Sequence, residues 1–104
     1  MHSRVNTLRT EPDRIDDVAR VVHEVVLPGI SAEPGFRGYI VLGDRAGGRA
    51  LGVTLWADEE TMRASDEKAR TIRPRVEEGT GGTMESVEQF EVLLFHVEPG
   101  SASV

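Results

Sequence analysis

Four polar residues lie in segments where their side chains could act on a small molecule. The Asn6 carboxamide can both donate to and accept from a carbonyl or an oxygen intermediate. Arg73, at the edge of an apolar helical stripe, could hold a carboxylate or an enolate oxygen. His23 could act as an acid or base near neutral pH, and Tyr39 could donate a proton. Each residue also has an ordinary interpretation as a solvated, snorkelling or backbone-bonded side chain.

Four further residues could form the walls of a binding site. Trp56, the only tryptophan, could stack on a flat aromatic ligand, although we favour a place in the core or an interface. Ser65 and Ala69 are small residues on the core face of the second predicted helix. They could leave a void, or they could simply let two backbones approach closely. Asp66 flanks the same face, where an ordinary solvated carboxylate is the alternative.

Metal and nucleotide chemistry find little support in the sequence. No cysteine is present, which excludes disulfides, thiolate zinc sites and thiol nucleophiles. His2 and His96 are predicted to be neighbours at the end of the sheet, but no third ligand accompanies them at a recognisable spacing. The glycine-rich GTGGT at 79–83 does not follow a strand and open a helix, so it is no dinucleotide fingerprint. We therefore predict no metal and no cofactor.

The length and net charge of the chain limit the number of domains and the kinds of partner that it can have. We expect one folded domain over residues 1–104, with a core at about 3–98 and a flexible tail at 99–104. The net charge of −6 disfavours binding to phosphate backbones or anionic lipid surfaces. The sequence shows neither a signal peptide nor an apolar run long enough to span a bilayer. We expect a cytoplasmic protein that binds neither nucleic acid nor membranes.

Strands and helices are predicted from hydrophobic periodicity and turn residues. The first strand is expected at 3–9, the first helix at 10–26 with an end at Pro28–Gly29, and two strands around a loop at 44–49. The second helix is expected at 58–78 with a kink or break at Pro74, followed by a flexible 79–83 and a last strand at 86–97. The apolar stripe of the first helix consists of Ile15, Val18, Ala19, Val22, Val25 and Val26, and that of the second of Met62, Ser65, Ala69, Ile72 and Val76.

The order of these elements, βαββαβ, predicts a ferredoxin-like α+β fold. Right-handed crossovers place both helices on one face of a four-stranded antiparallel sheet. The other face would be bare, yet GYIVLGDRAGGRALGVTLW at 38–56 carries apolar residues on both faces of its two strands. A bare apolar sheet of this size is not expected on a monomer. We therefore predict a homodimer that joins the open sheet faces into a shared barrel; the alternative is a monomer with an apolar sheet.

Three stretches, PGFRGYIVL, TLWADEE and VEQFEVL, resemble the dimeric α+β barrel superfamily, and within it the antibiotic-biosynthesis-monooxygenase-like domains. The similarity covers about residues 3–98 and specifies the fold better than the function. The resemblance implies a ligand cavity between helices and sheet, with an asparagine near position 6 aimed into it. Haem-degrading members need a tryptophan and a ligating histidine on the second helix. This chain has Ala64 and Pro74 near those positions, which argues against haem degradation.

The leading functional hypothesis is a homodimer that binds a small, flat aromatic or polyketide-like molecule. If it is an enzyme, the resemblance implies a cofactor-independent monooxygenase, in which Asn6 would polarise the substrate oxygen and Arg73 would stabilise negative charge. Trp56 would pack on the ring, and His23 or Tyr39 would move protons. The alternatives are a non-catalytic ligand-binding or structural dimer, and an isomerase, which would need a histidine or carboxylate in the pocket. The volume of the cavity distinguishes the catalytic hypothesis from a non-catalytic dimer, because catalysis needs about 300 Å³ or more per subunit.

Overall fold

The computed structural model describes residues 1–100, and its architecture is a four-stranded antiparallel sheet covered by helices on one face. Residues 101–104, the end of the predicted flexible tail, lie outside the described part of the chain. The elements in chain order are β1 (His2–Arg9), α1 (Ile15–Val21), α2 (Leu27–Ile30), β2 (Phe36–Asp44), β3 (Arg49–Trp56), α3 (Glu59–Ala64), α4 (Asp66–Thr80) and β4 (Thr83–Glu91). A 3₁₀ turn, Pro12–Arg14, precedes α1, and a π-helical stretch, Val22–Val26, joins α1 to α2.

The sheet has the strand order β2-β3-β1-β4, with all neighbours antiparallel, which confirms the predicted ferredoxin-like fold. β1 lies inside the sheet, between β3 and β4. Asn6 on β1 is therefore flanked by Gly52 on one side and by Val87 on the other. Because side chains alternate along a strand, Arg4, Asn6 and Leu8 share one face of β1, and this is the face that the helices cover.

The core lies between the helices and this face of the sheet. The stripe predicted for the second helix is buried at all five positions, from Met62 to Val76. In the first helix Ala19 is exposed, contrary to the prediction, and Val21 is buried instead. Residues in a helix are about 100° apart, so a stripe centred on Val18 and Val22 includes Val21 but turns Ala19 to its flank.

The predicted end of the first helix and a break of the second helix at Pro74 are not found in the structure. The first helical region does not end at Pro28–Gly29 but continues to Ile30, because Pro28 occupies the first turn of α2, where a missing N–H costs least. α4 runs past Pro74 to Thr80, and the interruption lies earlier, at Ser65 between α3 and α4. Pro74 and Arg70, four residues before it, are both exposed, so water can reach the carbonyl that loses its helical partner.

The last strand also differs from the prediction. β4 covers Thr83–Glu91 rather than 86–97. Its end is set by β1, because His2 already pairs with Glu91, and beyond it the Met1 carbonyl accepts one further bond from the Val92 amide at 2.9 Å. Of the segment 79–83 that was predicted to be flexible, only Gly81 and Gly82 lie between α4 and β4, and Gly81 ends α4 in the left-handed conformation (φ 69°).

The open face of the sheet is apolar, as the sequence indicates. Val5, Val53 and Ile40 form one cross-strand row there. Ile40 is 41% exposed and Phe90 49% exposed. Beyond β4, Leu93 and Leu94 are more than four-fifths exposed, at 87% and 85%. The homodimer that would cover this surface stays a prediction.

A bilayer-crossing helix is not found within residues 1–100, where no helix combines the necessary length and apolarity.

Candidate ligand cavity

A cavity of about 50 Å³ lies between the covered face of the sheet and the helices. Its walls are apolar and include Val18, Val22 and Val26 from the first helical region and Ala69, Ile72 and Val76 from α4. Its polar groups come from Arg4, Asn6, Tyr39, Thr54 and Arg73. About 10–15 Å³ of such space holds one water molecule, so the cavity as it stands holds a few waters or one small group. It is smaller than a ring-binding pocket needs, and a ring enters only if the walls move apart.

A second, wider depression of about 210 Å³ lies between α1 and the edge strand β2. Its charged side chains, Asp16 and Arg45, bond to each other at 2.7 Å. None of the predicted site residues lines it. The smaller cavity is therefore the better candidate, because it collects polar groups that have no protein partner.

Arg4 is the deepest charged group of the cavity, and sequence reasoning missed it. Only 1% of its surface is exposed. Its Nη2 donates to the Met62 carbonyl at 2.8 Å, to Ser65 Oγ at 2.9 Å and to the Asp66 carboxylate. Its Nε and Nη1 have no protein partner among the described residues. One signal was available: Arg4 is two positions before Asn6, so the two share a face of β1.

Three predicted substrate-binding residues support Arg4 instead of lining the cavity. Ser65 and Asp66 accept hydrogen bonds from its Nη2, as described above. Trp56 is fully buried, and its ring centroid lies 5.7 Å from the Arg4 guanidinium carbon, which is a cation–π distance. The Trp56 indole also packs edge-on against Phe36, with centroids 5.5 Å apart, and donates to Thr54 Oγ1 at 2.8 Å. These side chains determine where the guanidinium points.

Asn6 and Ala69, two of the predicted site residues, do line the cavity. The Asn6 side chain therefore lies on the helix-covered face of the sheet. Its Oδ1 is buried and has no protein hydrogen-bond partner among the described residues. The carboxamide thus presents an acceptor that a bound hydroxyl could satisfy.

Tyr39 also lines the cavity, and its ring is accommodated by a glycine. A Cβ at position 52 would lie 2.7 Å from the Tyr39 hydroxyl oxygen, so only Gly52 leaves room for it. Burial raises the pKa of Tyr39 to about 12, with the positive charge of Arg4 opposing this shift. The hydroxyl therefore keeps its proton at neutral pH and can donate a hydrogen bond, but it cannot serve as a base.

Arg73 completes the polar lining from α4. Its Nε is buried without a protein partner among the described residues. Burial, followed by the positive charge of Arg4, lowers the pKa of Arg73, and the negative charge of Asp66 opposes this. A guanidinium nevertheless stays protonated in proteins, so the cavity wall carries two like charges.

The histidines lie away from the cavity. His23, predicted as an acid or base, is exposed on the π-helical stretch and does not line it. His2 and His96 contact different acids: His2 Nε2 lies 3.7 Å from Glu59 Oε2, and His96 Nε2 lies 3.0 Å from Glu98 Oε1. Over residues 1–100, no group of three or more histidine, aspartate or glutamate side chains is placed to hold a metal.

Comparison with known proteins gives the family. A profile described as antibiotic biosynthesis monooxygenase matches residues 1–70, which is more than half of the chain. The chain belongs to the antibiotic biosynthesis monooxygenase family. It is 33% identical over 102 residues to the uncharacterized protein Rv2557 of Mycobacterium tuberculosis, across 98% of this chain and 45% of that protein. The chain thus spans about half the length of this curated relative.

Solved structures of similar fold include proteins with different chemistry. A monooxygenase from the gene ActVA-Orf6 of Streptomyces coelicolor, in complex with nanaomycin D, has a TM-score of 0.71 and 16% identity, covering 93% of this chain and 91% of its own. The haem degrader MhuD of Mycobacterium tuberculosis, with two haems in its active site, has a TM-score of 0.64 and 21% identity, covering 93% and 100%. At these identities the likeness shows the fold alone. For this member of the antibiotic biosynthesis monooxygenase family, only its own cavity residues can favour one chemistry.

Proposed function

We propose that this protein binds a small aromatic phenol, of the flat or polyketide-like kind, and oxidises it with molecular oxygen without a cofactor. One observation carries the proposal: the apolar cavity collects two guanidiniums, a carboxamide and a protonated phenol side chain. These groups stabilise an oxyanion, which is what a phenolic substrate becomes when it loses its proton. Family membership supports the same chemistry.

The reaction balances with oxygen as the only co-reactant. The substrate phenol loses its proton and becomes a phenolate. A ring carbon of the phenolate gives an electron pair to O₂, forming a carbon–oxygen bond, and the resulting peroxide takes up a proton. Cleavage of the O–O bond with loss of the ring hydrogen releases water and leaves a quinone carbonyl. The substrate is oxidised by two electrons in each of two steps, and one oxygen atom enters the product.

The protein's part is to hold the anion. Arg73 places positive charge beside the cavity, which lowers the pKa of a bound phenol. The Tyr39 hydroxyl adds a hydrogen-bond donor for the oxyanion, and the Asn6 carboxamide adds its NH₂ group, while its Oδ1 can accept from a substrate hydroxyl. Among the described residues, neither a histidine nor a carboxylate lines the cavity. The proposed acceptor of the substrate proton is therefore water. His23 is not proposed again as the proton carrier, because it lies outside the cavity.

Replacing Asn6 with alanine tests the proposal. We expect oxygen uptake with 1-naphthol or 1,5-dihydroxynaphthalene to fall about tenfold, because one donor to the oxyanion is lost while Arg73 and Tyr39 remain. The measurement is the initial rate in an oxygen electrode, with quinone formation followed by absorbance. Thr71→Ala is the control, since it removes an exposed polar side chain of α4 that does not line the cavity and should leave the rate unchanged. An unchanged rate in Asn6→Ala, or no uptake with any naphthol, contradicts the proposal.

A non-catalytic ligand-binding protein is the second candidate, and the cavity volume of about 50 Å³ favours it. It predicts binding of a naphthol without oxygen uptake. The isomerase hypothesis is not supported, because it needs a histidine or carboxylate inside the cavity, where the described residues provide neither. Haem degradation is likewise not proposed, since no described histidine lines the cavity.

We also propose that the protein acts as a homodimer joined through the open sheet face. Replacing Ile40, which is 41% exposed on this face, with aspartate places a charge in the proposed interface. We expect the wild type to have twice the mass of the 11.4 kDa chain by light scattering after size exclusion, and Ile40→Asp to shift toward one chain. Ala64→Asp, exposed on α3, should stay dimeric. A monomeric wild type would refute the dimer.

A further inference from the structure

We propose that the cavity selects ligands that carry one carboxylate, ionised at neutral pH, which binds to Arg4 together with Arg73. This inference rests on the same cavity as the proposed function and names the class of ligand that the cavity takes. A phenolate gains its charge only when it loses its proton. A carboxylate is already charged at neutral pH, so its binding would not require the loss of a proton in the cavity.

The unpaired donors of Arg4 are the first support. An arginine has five N–H groups, and those of Nη2 face three acceptors in the protein. The N–H groups of Nε and Nη1 have no protein partner among the described residues, although the side chain is only 1% exposed and lines the cavity. A charged group buried this deeply is costly unless it is paired and hydrogen-bonded. Water would satisfy these donors, but a ligand oxyanion would satisfy them and also offset the positive charge.

The charge balance around the cavity is the second support. Arg4 and Arg73 together carry two positive charges, whereas Asp66, which bonds Arg4, carries one negative charge. The unpaired Nε of Arg73 is buried as well. The surplus of one positive charge matches a monoanion. Asp66 also holds Nη2 of Arg4 away from the ligand, so the free donors are already oriented.

The size of the cavity is the third support. A volume of about 50 Å³ accommodates a carboxylate group, whereas an aromatic ring enters only if the walls move apart. The ready-made part of the site therefore fits a carboxylate. The apolar side chains of the first helical region and α4 would contact the rest of the ligand as the walls separate.

Benzoate and benzamide form the matched pair that tests this. They have the same ring and nearly the same shape, but only benzoate is charged at neutral pH, and neither is a substrate for oxidation. We expect the wild type to bind benzoate about tenfold more tightly than benzamide, measured by calorimetry at fixed ionic strength, because charge-assisted hydrogen bonds are lost with the amide. Arg73→Gln should reduce this preference several-fold. The control Arg75→Gln removes an exposed charge from the same helix and should keep the preference.

The outcomes separate the inference from the proposed function. Equal affinities for the two probes in the wild type, or no binding of either at millimolar concentration, would overturn it. Equal losses in Arg73→Gln and Arg75→Gln would show a general charge effect and would also overturn it. If the protein takes up oxygen with naphthols but binds the two probes equally, the proposed function is supported and the inference is refuted. A benzoate preference without any oxygen uptake supports the inference and refutes the oxidation.

Discussion

Replacing Arg4 with methionine is expected to lower the free energy of unfolding by about 2–4 kcal/mol. Methionine retains much of the side-chain volume, so the loss comes from hydrogen bonds more than from a cavity. Ser65 Oγ loses the donor that now reaches it at 2.9 Å, and the Met62 carbonyl loses the Arg4 donor at 2.8 Å but keeps the Ser65 hydroxyl at 2.6 Å. Asp66 loses its charged partner, but its side chain is 35% exposed, and water limits that cost. Urea denaturation followed by circular dichroism measures the change.

Arg9→Met is the matched control for Arg4→Met. Arg9 is on the same strand, but its bond to Glu85 Oε2 at 3.0 Å is exposed. Its removal should change stability by less than about 1 kcal/mol. If Arg4→Met is as stable as this control, then the buried arginine contributes nothing to folding. Its retention would then have to be explained by ligand binding alone.

Replacing Trp56 with alanine is expected to cost about 3–5 kcal/mol, the largest effect of any single substitution considered. The indole is completely buried, and its removal leaves a cavity between β3 and the helices. Phe36 loses its edge-on ring contact and Thr54 loses the indole N–H. Arg4 also loses the ring beneath its guanidinium. The expected result is a large drop in the urea midpoint and in the melting temperature.

Trp56→Phe separates the contributions of Trp56. A phenyl ring keeps most of the packing and the aromatic face beside Arg4, so we expect less than half of the alanine effect. The remaining loss would come from the smaller volume and the missing N–H. Equal destabilisation by alanine and phenylalanine would mean that the indole N–H bond to Thr54, rather than packing, determines stability at this position.

The topology could be predicted from the sequence because it depends on local signals. Apolar periodicity and turn residues locate each element, and βαββαβ with right-handed crossovers leaves few sheets to choose from. Element ends depend on partners instead. β4 ends at Glu91 because β1 ends opposite it at His2, although the apolar sequence continues to Val97. No pattern within 86–97 contains that information.

A site residue could be predicted only where its position within its own strand or helix was sufficient information. Asn6, Tyr39, Ala69 and Arg73 line the cavity, although the sequence alone left open which face of the sheet Asn6 occupies. Arg4 was missed because its role arises from contacts 58, 61 and 62 residues away in the sequence. The same contacts explain why Ser65 and Asp66 orient an arginine rather than touch the cavity. Cavity volume depends on how all these side chains pack, and the sequence does not state it.

The close approach of Tyr39 to Gly52 also affects the shape of the cavity. A Cβ at position 52 would lie 2.7 Å from the tyrosine hydroxyl oxygen, so the end of the tyrosine side chain would have to shift. A change at position 52 alone is therefore disfavoured unless the ring at position 39 shrinks or turns away. We therefore expect the effects of substitutions at positions 52 and 39 to be coupled. A protein with a larger side chain at position 52 and a smaller one at position 39 would have a cavity of a different shape. It would therefore bind different ligands.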